Sequence, residues 1–395
     1  MKEITITYKD KKYKYPEDTT LLDISKDFED DFTGKIIIGE INGRVCELSK
    51  KIKEDSVVKF YDFSSSVGNR IYESGLIFVL AKAFKDVLKS DIEVKHSLDK
   101  GVYISSNKKI TTDLLDKVST EMKNIIKKDL VIEKTLVSRL DAIKYYEQAG
   151  NIDKVNILKY SVNTNINLYR LSDMYDYFFS YLPISTGYLK DFKLTYIDSY
   201  SFVLGYPNIY SKSKIPAYKH HEKLFNEFKS YDEWCKKLGI ENVSGLNERV
   251  SKGNIDDLVL LSENIQNHNL FEIAETIKSN KKIKIVLIAG PSSSGKTTTS
   301  KKLELFLKGF GINPRAISID DYFVDRVKTP LLEDGSYDFE SINAVDVDTF
   351  NKVQEVIEKY KHAPGIRKAE ERYLLTGKLF CGKCGSKYIG VSRKL

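Results

Sequence analysis

The segment KIKIVLIAGPSSSGKTTTSKKL, residues 282–303, constrains this chain more than any other. Residues 285–289 are a short continuous apolar run, the pattern of a strand buried on both faces of a parallel sheet. The run leads into Gly290, Pro291, Ser292, Ser293, Ser294, Gly295, Lys296 and Thr297, which fit GxxxxGK(S/T) at each fixed position. Glycine at both ends of the loop permits backbone conformations that a side chain would block, so consecutive N–H groups can face inward and cradle phosphate oxygens. The following helix adds its N-terminal amides, with Thr298 in its first turn. In this pattern Lys296 reaches the β- and γ-phosphates and the Thr297 hydroxyl binds Mg²⁺. Leu303, Phe306, Leu307 and Phe310 give the helix one apolar side, and Gly311 ends it.

A second apolar run, Ala316–Ile319, ends in Asp320-Asp321-Tyr322-Phe323. Ligands of open parallel sheets bind beyond the carboxyl ends of the strands, which is where these acids would sit. A carboxylate there could take a proton from an attacking hydroxyl or help hold Mg²⁺. Asp338 follows in a loop, before a helix that Val347, Phe350, Val353 and Ile357 make amphipathic.

The rest of the chain is longer than this segment and reads differently. At 395 residues, two to four domains are expected. Residues 1–62 read as a small α+β unit. EITITY and KKYKYP are alternating strands, TTLLDISKDFEDDF is a helix capped by Thr19 or Thr20, and Asn42-Gly43 marks a hairpin. GNRIYESGLIFVLAKAFKDVL then predicts a long helix, followed by short strands and helices to residue 227. Residues 228–280 form a helical connector. No apolar run approaches the roughly 20 residues that span a bilayer, and MKEITITYKDKKYKYP has no apolar signal core, so the expected location is the cytoplasm, away from membrane. Cys46 and Cys235 are expected to be structural thiols, His96 a structural histidine, and His220-His221 a solvated pair. The net charge of +7 sits in the tail. Residues 1–350 hold 52 Lys+Arg and 52 Asp+Glu, whereas residues 351–395 hold 11 and 4. This balance argues against nucleic acid as a partner of the main body.

The ββαββ order of residues 1–62 resembles the ubiquitin-like TGS domain at the front of threonyl-tRNA synthetases, and residues 63–227 resemble the second additional domain of those enzymes. In that family the long helix carries a metal-binding HxxxH. The corresponding residues here are Ser74 and Phe78, which cannot hold zinc, so the resemblance implies that the metal-dependent editing chemistry is absent. GPSSSGKTT, SIDDYF and YDFES, in this order, resemble the uridine kinase and phosphoribulokinase family. The three-part arrangement resembles bacterial uridine kinase-like proteins. That resemblance implies an ATP- and Mg²⁺-dependent phosphotransferase acting on a nucleoside 5′-hydroxyl, with Asp320 as catalytic base, Lys296 on the phosphates and Asp338 on the ribose. The implied fold is multidomain α+β and α/β, ending in a partial P-loop parallel domain over residues 281–357.

Beyond residue 357 the kinase-like pattern stops. YLLTGKLFCGKCGSKYIG, within residues 358–395, resembles the start of a serine recombinase zinc ribbon. Cys381 and Cys384 make half a zinc site, with His362 a conceivable third ligand, so stable zinc binding is not expected. The kinase-like part is expected to be truncated, with a bare sheet edge, exposed apolar surface and little turnover. Two rival readings remain open: a nucleotide- or RNA-binding regulatory module without turnover, and DNA binding through the basic tail.

Overall fold

The computed structural model describes residues 2–209, 211, 214–291, 293–332, 335–339, 341–348, 351, 352 and 355. Ser292, Phe350, Val353, Ile357, His362, Cys381 and Cys384, and with them the half zinc site, lie outside the described residues. The chain divides into two compact units, Met1–Ile255 and Asp256–Leu395.

The first unit opens with β1 (Glu3–Tyr8), β2 (Lys11–Pro16), α1 (Leu21–Ser25), β3 (Ile38–Ile41), β4 (Arg44–Cys46) and β5 (Ser56–Tyr61). They form a mixed sheet of order β2-β1-β5-β3-β4, in which β1 and β5 run parallel. Thr20 caps α1, its Oγ1 accepting from Asp23 N–H at 3.1 Å. Asn42 and Gly43 have φ of 50° and 80°, the left-handed pair that a two-residue β3–β4 turn requires. Leu21, Ile24, Phe28, Ile4, Ile6 and Phe60 fill the core between α1 and the sheet.

α2 (Ser66–Leu88) follows. Ser65 caps it, accepting from Gly68 N–H at 3.0 Å. Gly68 is required, because a Cβ there would lie 1.9 Å from the Asp62 carbonyl oxygen. Ile71, Leu76, Phe78, Val79, Leu80, Ala83 and Phe84 are all buried, so α2 is apolar on most sides and runs through the core. Around it lie β6 (Ile92–Leu98), β7 (Gly101–Ser106), α3 (Thr112–Lys127), β8 (Glu133–Ser138), α4 (Arg139–Gln148), α5 (Ile152–Lys159), β9 (Asn165–Leu171), β10 (Met174–Tyr177), β11 (Lys193–Asp198) and β12 (Ser201–Gly205). β11-β12-β7-β6 and β10-β9-β8 are antiparallel sheets. One cluster joins α2, the inner face of α3, β7, β12 and β9 to Ile37 and Ile38 of the preceding part. α6 (Glu222–Lys237) and α7 (Val243–Ser251) complete the unit. His96 is stacked between Tyr103 and Phe228, at 5.1 and 4.0 Å between centroids. His220 and His221 are exposed, Cys235 is buried and Cys46 half-buried.

In the second unit, α8 (Ile255–Ser279) packs through Ala274 and Ile277 on Leu303 and Leu307 of α9 (Lys296–Gly309). Phe271 meets Phe306 and Phe310, and Lys278 Nζ lies 4.4 Å over the Phe310 ring. The expected parallel α/β sheet is corrected here. Residues 283–291 and 313–318 form no strand, and Ile285 and Leu287 are 78% and 87% exposed. Among the described residues of this unit, strand-like pairing is confined to the isolated bridges Phe323–Val345 and Leu331–Tyr337. An apolar run becomes a buried strand only with hydrogen-bonding neighbours beside it and cover on both faces, and these runs have neither. Among the described residues no helix is long and apolar enough to cross a membrane.

Two outcomes test this core. Phe84→Ala removes a fully buried ring stacked on Phe202 and should cost roughly 3–5 kcal/mol in urea unfolding. Tyr61 donates to Glu40 Oε2 at 2.6 Å, and burial first, then this carboxylate, push its pKa up to about 12. The folded value is the higher one, so this contribution is full below about pH 10 and is lost as pH rises towards 12. Several tyrosines are raised by burial, so in an absorbance titration at 295 nm Tyr61→Phe should remove one tyrosine's share of the change that wild type shows as pH approaches 12.

Candidate functional site

The phosphate-loop pattern lies in the second unit. Ser293 and Gly295 have φ of 61° and 81°, so the chain turns twice through left-handed conformations before α9. Gly295 is the N-cap and supplies no side-chain acceptor, which leaves the first-turn amides of α9 without a side-chain cap. Thr299 N–H already closes on the Gly295 carbonyl at 2.9 Å. Lys296 folds back, its Nζ donating to the carbonyls of Gly290 and Pro291 at 2.8 Å each. A Cβ at Gly290 would lie 2.7 Å from Ser294 Oγ, so a larger residue there would make that hydroxyl turn away. Pro291, Ser294, Thr297 and Thr298 are exposed around this turn. Uncapped first-turn amides, an ammonium and a hydroxyl are groups of the kind that bind anions.

The two acids predicted beside the loop follow α9 on the same stretch of chain. Asp320 and Asp321 lie in the 3-10 turn Ile319–Tyr322, exposed, where a strand end was expected. Asp338 is half-buried, and its N–H donates to the Pro330 carbonyl at 2.7 Å. Tyr322 and Val324 pair through the backbone with Asp346 and Ala344, closing residues 319–348 into a small loop cluster. Among the described residues no group of three or more His, Cys, Asp or Glu is placed to hold a metal ion.

The second candidate position is on α2 in the first unit. Ser74 Oγ accepts from Ser180 Oγ–H at 2.6 Å. Phe78 is fully buried, edge to face with Phe178 at 5.3 Å. The place on this helix where the resembled family carries a ligand pair is thus filled by an apolar ring and a neutral hydrogen bond. One residue earlier, Glu73 accepts from Tyr206. Burial first, then Glu73, hold the Tyr206 hydroxyl far above the ordinary tyrosine range. Glu47 accepts from Tyr169 and pairs with Lys134, each at 3.1 Å, which ties the β4 end to β8 and β9. These bonds tie α2 to the β12 end and β4 to β8 and β9. Sequence reading missed a group of lysines brought together at the β6–β7 turn, whose one signal is the basic, tyrosine-bearing run at residues 208–223.

No family model matches the chain. Curated relatives do. The threonine–tRNA ligase of Carboxydothermus hydrogenoformans is 30% identical over 185 residues, 46% of this chain and 29% of that protein. Those of Caldanaerobacter subterraneus subsp. tengcongensis and Halalkalibacterium halodurans are 28% and 27% identical over 200 and 267 residues. The chain spans 29% to 41% of the length of these three relatives.

These findings correct four expectations. The recognition of the chain as uridine kinase-like falls, because the relatives carry the name of a tRNA ligase over nearly half the chain or more. The nucleoside kinase function and the uridine kinase and phosphoribulokinase descriptions fall with it. An eight-residue phosphate loop fixes a local geometry and no reaction. The choice of a nucleoside as partner and the exclusion of nucleic acid fall too, since the relatives are named for joining threonine to tRNA. The physical error was to average charge over 350 residues, when a nucleic-acid surface is a local property. The roles given to Asp320 and Asp338 rested on the kinase recognition.

Proposed function

We propose that the chain is a tRNA-recognition module related to threonine–tRNA ligases. The observation that carries this reading is its likeness to those ligases over 46% to 63% of its own length. Residues 1–62 and 63–227 are taken as the recognising parts. Ser74 and Phe78 favour recognition without metal chemistry, because a phenyl ring offers no lone pair to a metal and the serine hydroxyl is already engaged with Ser180. A tRNA partner places the protein in the cytoplasm. Fluorescence anisotropy with labelled unfractionated tRNA tests this. Binding should be tighter than about 1 µM at low salt and weaken steeply as salt rises. Affinity no better than roughly 100 µM would sink the reading.

A second, independent reading concerns the other unit. We propose that Gly290–Thr298 binds a nucleoside triphosphate with Mg²⁺, ATP in the first instance. Lys296 would exchange its two carbonyl partners for phosphate oxygens, and Thr297 would offer its hydroxyl to the ion. The doubly left-handed turn and the uncapped helix start support it. At about a hundred times its dissociation constant, Mg-ATP should stabilise the second unit by roughly 2.7 kcal/mol in a thermal melt, and Lys296→Ala should abolish the shift. An equal shift in both proteins would place the nucleotide elsewhere.

A further inference from the structure

Most partly buried lysines of the first unit are committed to carboxylates. Lys82 pairs with Asp86 and Asp173, Lys95 with Glu93 and Asp232, Lys134 with Glu47, and Lys154 with Asp176. One corner differs. Lys100 in the β6–β7 turn, Lys193 at the start of β11, and Lys214, Lys219 and Lys223 before and at the start of α6 are exposed. None of these five ammonium groups takes part in an ion pair among the described residues.

Three separated stretches of chain bring them together, and the fold fixes each one. The turn is tight, with Asp99 at φ 52°. It closes against β12 because residue 101 is glycine; a Cβ there would lie 2.5 Å from Val203 Cγ1 and 2.8 Å from the Leu204 carbonyl oxygen. Asp99 then spends its carboxylate inward. Its Oδ2 accepts from Lys219 N–H at 2.9 Å and its Oδ1 lies 3.9 Å from His221 Nε2. That anchor ties the 214–223 stretch to the turn. Phe225 and Tyr218 pack with Leu98, Val203 and Tyr103 beneath it. Lys100, Lys193 and Tyr218 line one shallow pocket with Ile215 and Pro216. Within the β6–β7 turn and residues 214–223 the acids are Asp99, whose carboxylate accepts from a backbone N–H, and Glu222.

We propose that this corner, formed by Lys100, Lys193, Lys214, Lys219 and Lys223, is the face of the first unit that contacts the phosphodiester backbone of RNA. The inference rests on the tRNA-recognition reading and names its surface. Unpaired, exposed ammonium groups on a rigid frame lose no existing partner when they meet phosphates, and each releases counterions on binding. The lysines carry no base-reading geometry, so the corner sets affinity and orientation and leaves sequence choice to other groups.

The test is anisotropy with labelled unfractionated tRNA, across a salt series, on the full chain carrying Lys100→Gln, Lys193→Gln and Lys219→Gln together. The control is Lys281→Gln, an exposed lysine outside the recognising parts. The triple variant should keep the wild-type melting temperature, bind on the order of tenfold or more weakly at low salt, and show a log Kd against log salt slope smaller by about 3. The control should match wild type. Wild-type binding with an unchanged triple variant overturns this surface and leaves the tRNA reading standing. Absent binding by wild type overturns both.

Discussion

The burial of α2 is the constraint from which the first unit follows. A 23-residue helix with apolar residues on most sides has no face to give to water, so the chain must cover all of it. α3 and the β7–β12 face cover much of it, β9 adds Tyr169 and Leu171, and Ile37 and Ile38 reach in from the β2-β1-β5-β3-β4 sheet. The small opening fold therefore keeps its own core and also lends Ile37 and Ile38 to the core of the larger domain after it. Their ion pairs confirm the continuity at the surface, since Glu47 just after β4 holds both Lys134 and Tyr169 of the later sheet. A position on α2 is accordingly a packing position first. Ser74 and Phe78 show this: one bonds to Ser180 and the other fills space against Phe178.

The second unit shows what happens when local pattern lacks a global partner. The run at residues 285–288 has the composition of a buried parallel strand, but composition supplies one strand and a sheet needs several. α9 survives because its apolar stripe finds Phe271, Ala274 and Ile277 on α8, a neighbour close in sequence. The loop at its start survives for the same reason, being built from backbone bonds within a few residues.

Legibility from sequence divides along that line. Thr20 as N-cap, the Asn42-Gly43 hairpin and the long helix at α2 were readable because each is decided within one or two turns of chain. The phosphate-loop turn was readable because Ser293 and Gly295 act through their own φ angles. The strand at Ala316–Ile319 was misread because strand formation depends on partners that no short window contains. The lysine corner was invisible because Lys100, Lys193 and Lys219 are far apart in sequence, and they meet only once Gly101 and Asp99 have closed the β6–β7 turn.

That corner also explains how a chain with balanced charge can face a polyanion. Formal neutrality counts every ion, but an ammonium held by a carboxylate has little field left to offer a phosphate. Lys82 and Lys95 are held in this way, each by two acids. What a partner meets is the unspent remainder, which depends on where the acids are committed. Asp99 turns its carboxylate to the Lys219 amide and towards His221, so the one acid inside the turn serves as an anchor for the lysines around it. A single hydrogen-bonded carboxylate thus anchors the corner, and the unpaired lysines around it set the sign of its field.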